Sequence, residues 1–169
     1  IENLKRIADT SNFFLEHGIG SYEELLDRCE VASASAARLK ADLRDTGAKI
    51  DELALKMKHV AAYRQLKPIY DRYKASRDKE KFLRGHESEI ILFEAAAREC
   101  KRLGAVPLPA TERMQAEIDE LNARKAILKA ELQKAQRKEQ DYAAMRQNVE
   151  DFLSPPQPEQ ERKKNVELE

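Results

Sequence analysis

The sequence predicts an all-α protein, folded as a long antiparallel coiled-coil hairpin with a small helical head inserted between its two arms. Three observations lead to this prediction. The 169 residues include only 5 glycines and 6 prolines, a composition typical of long helices. Two regions carry apolar residues at alternating spacings of three and four, and helix-breaking residues interrupt the region between them. The predicted segments are an N-terminal helix (1–20), a first arm (21–62), a helical head (63–109), a second arm (110–153) and a disordered tail (154–169).

Residues 1–16 predict an amphipathic helix, because apolar and small side chains recur near one face at helical spacing. These side chains are Leu4, Ile7, Ser11, Phe14 and Leu15. Gly18 predicts the end of this helix, since glycine readily takes the left-handed conformation that follows a C-cap. Ser21, with Glu24 three residues later, forms a capping box that predicts the start of the next helix.

The first arm carries a heptad seam that predicts a long helix. Its positions are Ala32, Ala36, Leu39, Leu43, Thr46, Ile50, Leu53, Met57 and Val60. Gly47 lies within this stretch and costs about 1 kcal/mol relative to alanine, which one well-patterned helix can tolerate.

The second arm repeats the same rhythm, beginning after Thr111, which we predict as an N-cap because Pro107 and Pro109 prevent helix before it. The apolar seam positions are Met114, Ile118, Leu121, Leu128, Leu132, Ala135, Tyr142, Val149 and Leu153, with Lys125, Glu139 and Arg146 between them. A helix with one apolar stripe cannot bury that stripe alone. We therefore expect 30–62 to pair with 111–146 as an antiparallel coiled coil.

The head is predicted to contain two shorter helices. One continues from the first arm through Pro68, where it can kink, to about Ser76. The other covers 88–103 and is ended by Gly104. The tail contains three prolines and no periodicity, which is typical of disordered chain.

A basic stretch with interleaved aromatic residues lies in this head. Residues 64–84 contain eight basic and three acidic residues, whereas the whole chain has 31 of each. Cations can hold a phosphate backbone while aromatic rings stack on unpaired bases. The hypothetical nucleic-acid site comprises Lys67, Tyr70, Arg72, Tyr73, Lys74, Arg77, Lys79, Lys81 and Arg84. Spacing alone leaves open the alternative that Tyr63, Tyr70, Tyr73 and Phe82 only pack, with the basic side chains solvated.

The motifs of known catalytic and metal sites are absent from the sequence. His17, His59 and His86 are isolated from one another, and no CxxC, HExxH or glycine-rich phosphate loop occurs. We expect no catalytic residue, metal, cofactor or small-molecule ligand. Cys29 and Cys100 are expected to be reduced thiols of a cytoplasmic protein. No apolar run is long enough to span a membrane, so no membrane partner is expected. The absence of an initial Met predicts a fragment of a longer chain.

Three segments, in their order along the chain, resemble one known family. They are "IADTSNFFLEHGIGSYEELLDRC" at 7–29, "KPIYDRYKASRDKEKFLRGHESEIILFEAAARECKRLG" at 67–104, and the run that begins "LPATERMQAEIDELNARKAIL" at 108 and ends at 153. Together they are similar to the C-terminal helical region of MobA-type relaxases, the mobilisation nucleases of Gram-positive conjugative transposons.

The resemblance implies a role in DNA mobilisation without catalysis in these residues. Such relaxases nick DNA at an origin of transfer with a tyrosine and a histidine-bound metal in an N-terminal domain, and that histidine cluster is not in this sequence. The chain would be a non-catalytic accessory domain that contacts DNA of the origin-of-transfer region, docks to the conjugation machinery or self-associates. The alternative is a generic coiled-coil interaction or dimerisation module with no nucleic-acid role.

Overall fold

The computed structural model describes residues 2–154, and within this range the protein is all-helical. Its four helices are α1 (Glu2–His17), α2 (Tyr22–Ala75), α3 (Lys79–Arg102) and α4 (Thr111–Leu153). They account for 89% of the described residues, among which there is no strand. The prediction of an all-α fold is therefore confirmed. The predicted disordered tail lies outside the described residues, apart from Ser154.

Two helices end as the glycines predict. Gly18 and Gly104 have φ of 62° and 65°, the left-handed conformation that glycine adopts without steric cost. The amide of Ile19 donates to the carbonyl of Phe14, and that of Ala105 donates to Cys100. This six-to-one bond belongs to the Schellman motif, whose residue after the glycine commonly makes an apolar contact. Both Ile19 and Ala105 are buried, so each helix end is tied to a core.

The start of α2 follows the predicted capping box with one difference. Ser21 Oγ accepts from the amide of Glu24 at 3.1 Å, as the box requires. The carboxylate of Glu24 reaches one residue further back and accepts from the amide of Gly20 at 3.0 Å. That bond, followed by the hydrogen bond from Arg28, lowers the pKa of Glu24.

The helix α2 continues past residue 62 and through Pro68 to Ala75. Proline removes one backbone hydrogen bond from a helix interior, and aromatic packing on both sides of Pro68 offsets that loss. Tyr63 and Tyr70 both contact the buried ring of Phe93. The predicted end of this helix near Ser76 is confirmed.

The helix α3 begins nine residues earlier than predicted. We expected a helix over 88–103, and the structure has Lys79–Arg102 with a non-helical residue at His86, whose φ is −141° and ψ is 26°. The residues before this break are helical as well, which the sequence did not predict. Asp78 caps them, because its carboxylate accepts from the amide of Lys81 at 3.0 Å.

Contacts between residues divide the chain into two compact units, and both α2 and α4 contribute to each. Among the described residues, the first unit comprises 2–36 and 134–154, and the second comprises 37–133. In the first unit, the buried residues Ile19, Leu25, Ala32 and Tyr142 form the core. Partly buried apolar side chains surround them, namely Phe13, Phe14, Tyr22, Cys29, Met145 and Val149.

The second unit is built around Val60, Cys100 and Ala105, with Tyr63 and Leu108 packed against them. Arg64 ties α2 to the segment that precedes α4. Its guanidinium donates to the carbonyl of Pro109 at 2.9 Å and to Thr111 Oγ1 at 3.3 Å. Thr111 is the first residue of α4 and not the N-cap that we predicted. Its hydroxyl donates to the carboxylate of Glu112. That contact replaces the predicted capping bond to a backbone amide.

Burial follows the predicted heptads closely. Every predicted position of the first seam is buried or half-buried, including Thr46, whose hydroxyl donates to the carbonyl of Asp42 at 2.8 Å. In the second seam only Arg146 and Leu153 are exposed, which is where the prediction is wrong. Near Arg146 the stripe moves by one residue, and Met145 packs on the core of the first unit instead.

Replacing Gly47 by alanine should raise the free energy of unfolding by about 0.5–1 kcal/mol, the amount that glycine costs inside a helix. A Cβ at this position would lie 3.7 Å from Lys125 Nζ, an ordinary van der Waals distance. Urea unfolding followed by circular dichroism measures the change. Gly104→Ala is the matched control and should destabilise, because its positive φ strains any side chain although no atom lies within 4 Å.

Candidate nucleic-acid interface

All nine predicted site residues lie in the second unit, on the end of α2, the following turn and the first part of α3. The surplus of five positive charges over 64–84 is therefore brought together on two consecutive helices. Seven of the nine side chains are cations, and all seven are exposed. Tyr70 and Tyr73, the two aromatic members, are half-buried. The cations of the predicted site are therefore exposed to solvent, whereas its two tyrosines are partly shielded from it.

The aromatic residues of this region form one continuous chain of ring contacts, which we call the aromatic chain: Phe93, Tyr70, Tyr73, Phe82 and His86. Tyr70 stacks on Phe93 with ring centroids 4.2 Å apart. Tyr70 and Tyr73 follow at 6.0 Å, Tyr73 and Phe82 at 6.3 Å, and Phe82 and His86 at 4.6 Å. Phe93, at one end, is only 5% exposed. The rings thus join the end of α2 to both parts of α3.

Two cations lie over rings of this chain. The guanidinium carbon of Arg72 is 5.7 Å from the centroid of Phe82, and Lys74 Nζ is 5.2 Å from that of Tyr70. Both distances fall in the range of cation–π attraction, which at exposed sites contributes about 0.5–1 kcal/mol. The rings therefore restrict where these two cations point, while the charges remain in solvent.

Two further cations have carboxylate partners one helical turn away. Lys67 Nζ lies 2.6 Å from Asp71 Oδ2, and this bond raises the pKa of Lys67. The guanidinium of Arg84 lies 3.8 Å from Glu80 and is largely exposed. Exposed ion pairs of this kind are weak, so both cations can still contact another anion.

The three remaining cations, Arg77, Lys79 and Lys81, flank the turn between α2 and α3, and we call them the turn cations. Within residues 2–154, none of them makes an ion pair with a carboxylate. The only acid in the turn itself, Asp78, accepts from the amide of Lys81 as the N-cap of α3. The turn cations are therefore the most available positive charges of the predicted site.

His86 ends the aromatic chain without a complete set of polar contacts. Its Nδ1 is shielded from solvent and has no hydrogen-bond partner, although Glu89 Oε1 lies 3.5 Å away. The imidazole as a whole remains 35% exposed. His86 is thus mainly a packing residue at the break in α3, with a carboxylate close enough to pair with a protonated ring.

A concave groove lies in the first unit, between α1 and the end of α4. This groove has a volume of about 370 Å³. Its apolar lining includes Ile7, which is 40% exposed, and Phe152, which is 69% exposed. Arg6 crosses from α1 to α4, donating to Asn148 Oδ1 and pairing with Asp151 at 2.6 Å. The sequence predicted the stripe on α1 but not this groove.

The titratable groups show little that is typical of a catalytic or metal site. Residues 2–154 contain no cluster of three or more His, Cys, Asp or Glu side chains that could hold a metal ion. The pKa of both thiols, Cys29 and Cys100, is raised by burial, which disfavours the reactive thiolate. His17 stacks on Phe13 and contacts its carbonyl oxygen at 3.0 Å.

Neither a search for membrane-spanning helices nor comparison with known proteins assigns a function to this surface. Across the part of the chain that the structure describes, no helix is both long enough and apolar enough to cross a bilayer. No family model, no curated protein and no solved structure matches the chain. The resemblance to relaxases therefore remains a hypothesis that rests on the three sequence segments.

Proposed function

We propose that this chain is a non-catalytic accessory domain of a conjugative DNA relaxase, and that it contacts DNA through the turn between α2 and α3. The observation that carries the proposal is the exposed set of turn cations, which have no carboxylate partner among residues 2–154 and lie in a stretch with five surplus positive charges. A neutral chain with a locally basic surface is suited to contact a polyanion there. The relaxase resemblance supports DNA at an origin of transfer, in the cytoplasm, as that polyanion.

We also infer that α2 and α4 pair as antiparallel arms within each unit, with α3 as the inserted head. Two contacts in the second unit support this arrangement. Arg64 bonds to Thr111, and Gly47 lies against Lys125, so earlier residues of α2 meet later residues of α4. In the first unit the hydroxyl of Tyr22 donates to Glu150 at 2.9 Å, which follows the same order.

Reversing all three turn cations to glutamate should weaken duplex DNA binding at least tenfold at low salt. Each phosphate contact contributes about 0.9 to the slope of log affinity against log salt, so the magnitude of that slope should fall by up to about 3. Fluorescence anisotropy with a labelled duplex, titrated at several salt concentrations, measures both quantities.

The matched control reverses three exposed basic residues elsewhere in the same unit, Arg113, Arg124 and Lys129 of α4. It makes the same change in net charge, so it should leave most of the affinity in place. Equal losses in the two variants would mean that the turn is not a site, and absence of binding by the unaltered chain at low salt would refute the DNA role.

A second candidate function is self-association or docking to transfer machinery through the coiled coil, with no nucleic-acid role. The groove of the first unit favours it, because Ile7 and Phe152 leave apolar surface exposed there and such patches commonly mark interaction sites. Sedimentation velocity over a hundredfold range of protein concentration separates the two candidates. A concentration-dependent dimer without DNA binding would favour this second function.

A further inference from the structure

The nine predicted site residues divide into free cations and occupied rings, and this division determines how they can bind. We propose that the surface contacts nucleic acid through backbone phosphates alone, and that its aromatic side chains serve as a scaffold for the cations. This inference rests on the proposed function and deepens it, because it names the part of the nucleic acid that is recognised.

Base stacking requires a ring with an open face, and the rings of Tyr70 and Phe82 each already contact another ring and a cation. Tyr70 has Phe93 stacked at 4.2 Å and Lys74 Nζ at 5.2 Å. Phe82 has His86 at 4.6 Å and the Arg72 guanidinium at 5.7 Å. Tyr73 lies between these two rings, and Tyr70, Tyr73 and Phe82 are all half-buried. A base on Tyr70 would compete with Lys74 and with Phe93, and a base on Phe82 would compete with Arg72 and His86.

The seven cations, in contrast to the rings, are all exposed to solvent. The turn cations have no carboxylate partner within the described residues, and Arg72 and Lys74 rest on rings without losing charge. Asp78 already occupies the backbone amide of Lys81 at the start of α3. The anion would therefore meet side-chain ammonium and guanidinium groups, and the amide of Lys81 would not be available to it.

A phosphate-only surface should be indifferent to base identity. Affinity would follow the spacing of negative charges, so duplex and single-stranded DNA should differ only through their charge density. Inorganic polyphosphate, which has no bases, should compete with both. A stacking surface would instead prefer unpaired bases, with a loss of about fivefold or more when one stacking ring is removed.

The test compares the full chain with its Tyr73→Leu variant, which removes a ring but keeps apolar volume beside Phe82. Anisotropy is measured with an oligo-dT strand, an oligo-dA strand and a duplex of equal length, with polyphosphate as competitor. We expect less than a threefold change for every oligonucleotide, and displacement by polyphosphate. A fivefold or greater loss for single strands, with duplex binding retained, would overturn the phosphate-only inference and leave the proposed function standing.

A second readout uses the unaltered chain, so it holds even where the variant does not fold. The protein has five tyrosines and no tryptophan, so its intrinsic emission reports on tyrosine directly. Saturation with oligo-dT should leave this emission unchanged after correction for absorption, as saturation with polyphosphate does. Quenching by oligo-dT alone would show stacking and overturn the inference. Failure to bind any of these probes would refute the inference together with the proposed DNA contact.

Discussion

Replacing Phe93 by alanine should lower the free energy of unfolding by about 3–5 kcal/mol, as deletion of a buried aromatic ring does. Phe93 is 5% exposed and its ring contacts both Tyr63 and Tyr70, at centroid distances of 4.8 and 4.2 Å. These contacts lie on either side of Pro68, where α2 lacks a backbone hydrogen bond. The substitution would thus remove the anchor of the aromatic chain, and urea unfolding followed by circular dichroism measures the cost.

Ile91→Ala is the matched control for this prediction. Ile91 lies two residues away on α3 but is 55% exposed, so its truncation should change stability by less than about 0.5 kcal/mol. If the two variants lose similar stability, burial of Phe93 against α2 is not what holds this region together. Phe93→Leu should recover part of the loss, because leucine restores some apolar volume without the stacked ring.

The same substitution links the fold to the proposed site. Lys74 lies over Tyr70, whose ring stacks on Phe93, and Arg72 lies over Phe82, which is linked to Tyr70 through Tyr73. A ring that is 20 residues away from Tyr73 in sequence thereby influences the position of cations on α2. The aromatic chain thus positions two of the seven cations of the predicted site, Arg72 and Lys74.

Much of the fold could be predicted because it depends on local periodicity. The all-α class, the ends at Gly18 and Gly104 and most seam positions follow from the spacing of apolar residues and the conformational freedom of glycine. The part of α3 before the break at His86 was missed, because the predicted helix began only at residue 88. A capped helix before that interruption requires Asp78 to accept from Lys81, and one short stretch of charged residues gives little signal for it.

The candidate site was predictable in its charge but not in the roles of its rings. The surplus of basic residues over 64–84 is visible in the sequence. Tyr70 and Tyr73, three residues apart, have the same spacing whether they pack or bind. Only a tertiary contact decides between these roles, and their partners Phe93 and Phe82 lie on another helix. The groove of the first unit was missed for a related reason, since it needs α1 and the end of α4 together.

Replacing Tyr142 by alanine should destabilise the first unit by about 3–5 kcal/mol. Tyr142 is 2% exposed and belongs to the core formed with Ile19, Leu25 and Ala32. Its ring meets Phe13 edge-on at 5.4 Å and His17 at 5.9 Å, so the substitution removes contacts from α1 as well as from α2. The first unit should therefore unfold at a lower urea concentration, and α1 should be the first helix to lose its packing.

Phe152→Ala is the matched control, because it makes the same kind of truncation on the same helix and in the same unit. Phe152 is 69% exposed, so its loss should cost less than about 0.5 kcal/mol in a monomeric chain. Equal destabilisation by both variants would contradict the assignment of the core to Tyr142. A cost for Phe152→Ala that grows with protein concentration would have a different meaning, because a residue buried only between copies contributes stability by mass action.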